Sequence, residues 1–218
     1  MDFYTKCYIP TLKKEIRINS IKFGDFVKIN NYIQNHDYES INQIFNDICE
    51  NCNKFSKKIK NLDKFYILLH LKNFFFNPSL SLSGKNEEES VIFDILLSDV
   101  MKRCLTYNFE NFELPEHLYY KNVEDILKEN GQNIEEIKKH IISNKILMFD
   151  VPNFIKGIPK VYINCFDNTL FYFCKTLYSS NLSNIYNKII ALKKKFNFSL
   201  DEIYNMNPKE LDLFLKTK

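Results

Sequence analysis

Cys49-Glu50-Asn51-Cys52 has the spacing of half a zinc site or of a redox dithiol. A structural zinc site takes four ligands, and no second pair follows, because Cys104, Cys165 and Cys174 stand alone. Cys49 and Cys52 also sit one helical turn apart and extend an apolar stripe from Ile41 through Ile48, so core packing is the simpler reading. His36-Asp37 could pair a base with its orienting carboxylate, or Asp37 could cap a helix with His36 in the loop before it; the cap is expected. His70 is a lone histidine in a greasy run, which suits a core or boundary position. His117 and His140 have no spaced partner that would make a ligand set. Gly24, Gly84, Gly131 and Gly157 are too scattered for a phosphate-cradling loop, and no nucleophile elbow occurs. The expectation is therefore no catalytic residue, no metal and no cofactor, in a protein that is not an enzyme.

Two basic clusters remain, Lys57-Lys58-Ile59-Lys60 and Lys193-Lys194-Lys195. Both flank helix-like segments, and the second ends one, where the helix dipole favours cations. A solvated face explains them. Phe55 and Phe196 interleave with the lysines, but the chain carries a net charge of only +3, which is no polycation. Arg17 and Arg103 are the only arginines, Ala191 the only alanine, and Trp is absent. Asn, Lys, Ile, Phe and Tyr abound; these residues have AT-rich codons, so the bias reflects the nucleotide composition of the gene more than function.

The elements that must position these residues can be read from periodicity. With 218 residues, 45% hydrophobic and 26% charged, the chain can bury a substantial core. Tyr4–Ile9 and Glu15–Ile21 alternate across a five-residue connection, Pro10 to Lys14, and predict a β-hairpin. Helices are predicted over Asp25–Gln34, from the Asp37 cap through Ile48, and from an Asn61 cap through the greasy run to Asn77-Pro78. That third helix is apolar nearly all round and should be central. Leu80 and Leu82 alternate before a turn at Gly84-Lys85-Asn86, and Glu87–Glu89 suggest the start of a helix reaching Cys104. Residues 105–120 are aromatic and irregular. Helices follow near Val123–Glu129 and Ile134–Ser143, then a mixed segment with strand-like Lys160–Ile163. Helices are expected over Asn168–Tyr178 and Leu182–Phe196, and two short ones start at Ser199 and Asn207, each with Glu three residues later.

The class expected is α+β, predominantly α-helical, with an N-terminal β-hairpin followed by a helical body. A single domain over 1–218 is expected, with lobes 1–105 and 106–218 as the alternative division. No basic-then-apolar leader and no apolar run of membrane-spanning length occur, and six cysteines without an export signal suit free thiols in a reducing compartment. The expected location is the cytoplasm.

Tyr8-Ile9-Pro10-Thr11, then Lys14-Glu15-Ile16-Arg17-Ile18, resemble the opening strand, Leu-Pro turn and second strand of the T-even-type bacteriophage baseplate hub assembly proteins. The helix pair over Phe26–Cys52 follows in the same order. The run Leu62 to Lys72 is similar to that family's helix in which an Asp precedes an (Ile/Leu)-Leu pair and a basic residue, here Asp63, Ile67-Leu68 and Lys72. Met206-Asn207-Pro208-Lys209-Glu210 resembles its closing "Met-x-Pro-x-Glu" helix start. Leu12-Lys13-Lys14 stands where the family usually has a turn Gly, and Lys72 where it tends to have Arg.

The resemblance implies a non-enzymatic, chaperone-like assembly factor that binds other phage baseplate hub proteins in the host cytoplasm; from composition, no membrane is expected and the nucleic-acid signal is weak. The alternatives are a structural hub subunit retained in the virion baseplate and, from another class, a small nucleic-acid-binding protein. Candidate partner-contact residues are Tyr8 on the hairpin and Phe109, Phe112, Tyr119 and Tyr120 in the aromatic segment, since exposed aromatics anchor interfaces.

Overall fold

The alternating N-terminus pairs with itself. In the computed structural model, β1 (Tyr4–Ile9) runs antiparallel to β2 (Lys14–Asn19), with Cys7 opposite Ile16 and Thr5 opposite Ile18. The structure describes residues 4–51, 59–86, 89–107, 113–130, 135, 147–149 and 161–217. Period-two alternation buries Cys7, Ile9, Ile16 and Ile18 on one face and exposes Tyr4, Lys6, Tyr8, Glu15 and Arg17 on the other. On that outer face Arg17 stacks over the Tyr4 ring at 3.6 Å. The connection closes through Lys13 at φ 49°, a left-handed conformation that costs a side-chain-bearing residue about 1 kcal/mol. The turn thus has a backbone shape suited to Gly. β2 stops before the predicted Ile21, which is buried in the link to the first helix.

Nine helices occur among the described residues, with the small N-terminal hairpin leading a mainly helical body of α+β class. Helix α1 (Phe23–Gln34) passes close to α8 (Leu200–Asn205), where a Cβ on Gly24 would lie 3.1 Å from the Cβ of Tyr204. Helix α2 (Tyr38–Asn51) starts at Asp37, whose Oδ1 accepts the Ser40 amide at 3.1 Å. Helix α3 (Asn61–Phe75) is buried along nearly its whole circumference, as its all-round apolar character requires. The hairpin, α2, α4 (Leu97–Thr106) and α6 (Thr169–Tyr178) surround it. One continuous core joins both ends of the chain, from Cys7 to Leu211. Phe45 and Tyr178 meet at 5.6 Å, and Phe65 and Phe173 at 5.7 Å.

Two expectations are corrected. Residues 89–96 form a strand, β4 (Glu89–Leu96), paired with β3 (Ser79–Asn86) in the register Leu80 opposite Ile95 and Leu82 opposite Phe93. The acidic run suggested a helix start, but Val91-Ile92-Phe93 are β-branched and aromatic and find a complementary partner strand. Helix α4 therefore begins at Leu97. Asn61 is not the cap of α3: Lys60 holds that place, and Asn61 is a buried first helical residue. Its amide donates to Pro115 O at 2.7 Å and its Nδ2 to Cys165 O at 2.5 Å.

Helix α5 (Val123–Asn130) and the short pair β5 (Leu147–Phe149) and β6 (Val161–Ile163) precede α6. The predicted helix over Ile134–Ser143 lies outside the described residues apart from Glu135. Helices α7 (Leu182–Phe196), α8 and α9 (Pro208–Lys216) end the chain, and the Ser199 and Asn207 side chains accept from the amides of Glu202 and Glu210 as their spacing predicts. Among the described residues no helix is long and apolar enough to cross a membrane.

Candidate functional site

Asp63 is the third residue of α3 and is fully buried. Its Oδ1 accepts the Thr11 amide at 2.9 Å, and its Oδ2 accepts the Thr11 hydroxyl in a very short contact and the Lys60 amide at 3.1 Å. The carboxylate thus clips the hairpin turn onto the start of the central helix. Burial, the largest influence, raises its pKa above the ordinary carboxylate value, against the opposing pull of these hydrogen bonds and of the Lys60 charge. One turn of sheet and one helix end, 52 residues apart in sequence, are held as a unit. At the far end of the contact, Thr5 Oγ1 lies 3.1 Å from His70 Nε2, so His70 is a half-buried boundary residue.

Of the candidate contact residues, Tyr8 is 41% exposed on the outer face of the hairpin. Tyr119 is half-buried, its ring packed 4.8 Å from Phe171 and 5.8 Å from Tyr38. Tyr120 is corrected: it is buried, because its phenol spans two segments. Its hydroxyl accepts the His117 amide at 2.9 Å and donates to Glu129 Oε2 at 2.5 Å, while its own amide donates to Asn168 Oδ1. Phe109 and Phe112 lie outside the described residues.

Among the described residues, the chemistry-bearing side chains are dispersed. Cys49 is buried and its Sγ donates to Lys64 O at 3.6 Å; Cys52 lies outside the described residues. The five described cysteines are buried, and desolvation pushes the thiols of Cys104, Cys165 and Cys174 up, keeping them protonated. Asp37 is held below its usual value by the Ser40 side chain and amide, as its capping role requires. Lys193, Lys194 and Lys195 are exposed in the last turn of α7. Among the described residues, no group of three or more His, Cys, Asp or Glu is placed to hold a metal ion.

Periodicity gave no sign of a cavity of about 500 Å³ between α1, the end of α3, α7 and α9. Phe23, Phe26, Phe75 and Phe76 line its apolar side. Lys72, Lys188, Lys209 and Lys216 line it as well, against Asp212 as the one carboxylate. Lys188 pairs with Asp212 at 2.8 Å. Lys209 Nζ sits 4.2 Å over the Phe74 ring, and Lys72 Nζ 4.8 Å over Phe76. The Ser179–Ser180 wall is fixed by Asn30, buried in α1. Asn30 Nδ2 donates to Tyr178 O at 3.0 Å and to Phe26 O at 2.8 Å, and its Oδ1 accepts the Ser180 amide at 2.6 Å.

Burial lowers the Lys72 pKa from 10.5 to about 8. Between those two values the unfolded chain binds more protons than the folded one, so this lysine makes stability rise with pH across that window. Below pH 8 the folded protein carries the whole penalty. Replacing Lys72 with Met should stabilise the protein at pH 7 by about 1–3 kcal/mol and remove that share of the rise. Urea unfolding of both proteins across the window measures this; parallel curves would show that Lys72 pays no penalty for its position.

Comparison of the chain with protein-family models, with curated proteins and with solved structures finds no match to any of them.

Proposed function

We propose that this protein is a non-enzymatic assembly factor of a contractile phage tail, binding baseplate hub subunits and holding them for correct association. The observation that carries this reading is the Thr11–Asp63 clip. The residues behind the resemblance to the T-even-type hub assembly family come from separate stretches, the Tyr8–Ile18 hairpin and the Leu62–Lys72 helix. In the structure, Thr11 and Asp63 bind one another directly. The two stretches that carry the resemblance thus meet in this chain at one place, the start of the central helix. The outer face of the hairpin, with Tyr4, Tyr8 and Arg17 exposed, presents the mixture of aromatic and guanidinium groups on which interfaces are anchored.

Affinity purification of the tagged protein from infected cells, with mass spectrometry of the eluate and of purified particles, tests this. Co-elution with baseplate subunits and absence from particles is the expected result. Presence in both would make it a retained hub subunit instead. Elution with no tail protein would overturn the reading, and DNA binding with a steep salt dependence would replace it with a nucleic-acid role.

A further inference from the structure

The cavity between α1, α3, α7 and α9 has two chemistries that belong together only in an amphipathic, anionic occupant. We propose that it docks a segment of a partner protein in which a large apolar side chain is flanked by carboxylates. This deepens the assembly reading and rests on it for the identity of the protein that carries the segment.

The apolar requirement comes from the phenylalanines on the lining, Phe23, Phe26, Phe75 and Phe76, which leave room for a side chain of leucine or phenylalanine size. The anionic requirement comes from charge: four lysines line the cavity against one carboxylate. Asp212 is engaged by Lys188, whereas among the described residues no carboxylate lies within ion-pair distance of Lys72, Lys209 or Lys216. The lowered Lys72 pKa is consistent with an ammonium that lacks a counter-charge there.

The choice of a protein segment over a small acid comes from what surrounds the opening. Leu213, on the lining, is 68% exposed, and Phe74, under the Lys209 ammonium, is 42% exposed. Large apolar side chains are thus exposed both on α9 at the lining and at the end of α3, two places that a protein segment can span. A second copy of the chain is the weaker occupant, since a self-paired contact through this face would set its four lysines against their own copies.

The probe is a fluorescein-labelled peptide containing Asp-Glu-Phe-Leu-Glu-Asp, with Asn-Gln-Phe-Leu-Gln-Asn as its uncharged counterpart, titrated with the full-length protein. Fluorescence anisotropy should show the acidic peptide binding at least about tenfold more tightly than the uncharged one, and weakening with added salt. Lys209→Glu with Lys216→Glu should lower its affinity by about tenfold or more, and Leu213→Ser should lower the affinity of both peptides. Amide shifts on titration should concentrate on Ser179–Ser180 and α9. Equal affinity for the two peptides, no saturable binding, or unchanged binding by the lysine double variant would overturn the proposal. So would tighter binding of octanoate that displaces the peptide, which would make this a small-acid site. Concentration-dependent dimerisation abolished by Leu213→Ser would overturn it in favour of a second copy. Peptide binding together with a purification that yields no tail protein would refute the phage assignment and leave this site standing.

Discussion

Replacing Asp63 with Ala should lower the stability of the protein by about 3–5 kcal/mol, the largest effect expected of any polar substitution here. The carboxylate satisfies three donors that come from two places, the hairpin turn and the cap of α3, and all three lose their acceptor at once. Asp63→Asn should be milder, about 1–2 kcal/mol, because one oxygen remains and the Thr11 hydroxyl can turn to accept from the new amide. One backbone amide, of Thr11 or of Lys60, still faces a donor. The acid limb separates the two substitutions further. Since Asp63 has a raised pKa, the folded protein holds the proton more tightly than the unfolded chain between 3.8 and the raised value. Wild type should therefore gain stability relative to Asp63→Asn as the pH falls through that window. Urea midpoints followed by tyrosine fluorescence read all of this. A loss below about 1 kcal/mol for Asp63→Ala would mean that the turn is not held by this clip.

The second large effect belongs to Asn30, where Ala should cost about 2–4 kcal/mol. The side chain is buried and its three hydrogen bonds reach from α1 to the end of α6 and on to Ser180. Asn30→Asp is the informative companion, since it keeps the shape and the acceptor for Ser180 yet turns a carboxylate toward two carbonyls. It should cost at least as much as Ala. If Asp were tolerated while Ala was not, the site would depend on volume rather than on donation. The same substitutions should loosen the Ser179–Ser180 wall of the lysine-lined cavity, so peptide binding there should weaken along with stability.

Much of this fold was written in local patterns. The hairpin alternation, the Asp37, Ser199 and Asn207 caps, and the all-round apolar α3 each follow from short-range rules, and the structure places each within a residue or two. The failures share a cause in contacts distant along the chain. Glu87–Glu89 carried a helix-start pattern, and only the presence of Leu80 and Leu82 on a neighbouring strand turns Val91-Ile92-Phe93 into β4. Asn61 has the composition of a cap, but its side chain is drawn instead to Cys165 O, 104 residues away. Tyr120 is an aromatic in an irregular segment, and its burial depends on Glu129 and Asn168, which no spacing rule ties to it.

The candidate site was legible only in part. Thr11 and Asp63 both fall in stretches that carry the resemblance, and nothing local in the sequence reveals that they bind each other. The cavity was invisible because its lining comes from four helices whose lysines, taken singly, look like solvated surface. Lys72 is the instructive case. In sequence it is one lysine in a greasy helix, and in the structure it is an ammonium set against two aromatic rings, Phe76 and Tyr178.

The central claim, a role in building the tail through surface contacts, is most directly tested by removing the gene and counting particles by electron microscopy. The account predicts filled heads and free tail parts without complete baseplates, with infectivity restored by the wild-type protein supplied in trans. Normal tails and undiminished infectivity in its absence would contradict it.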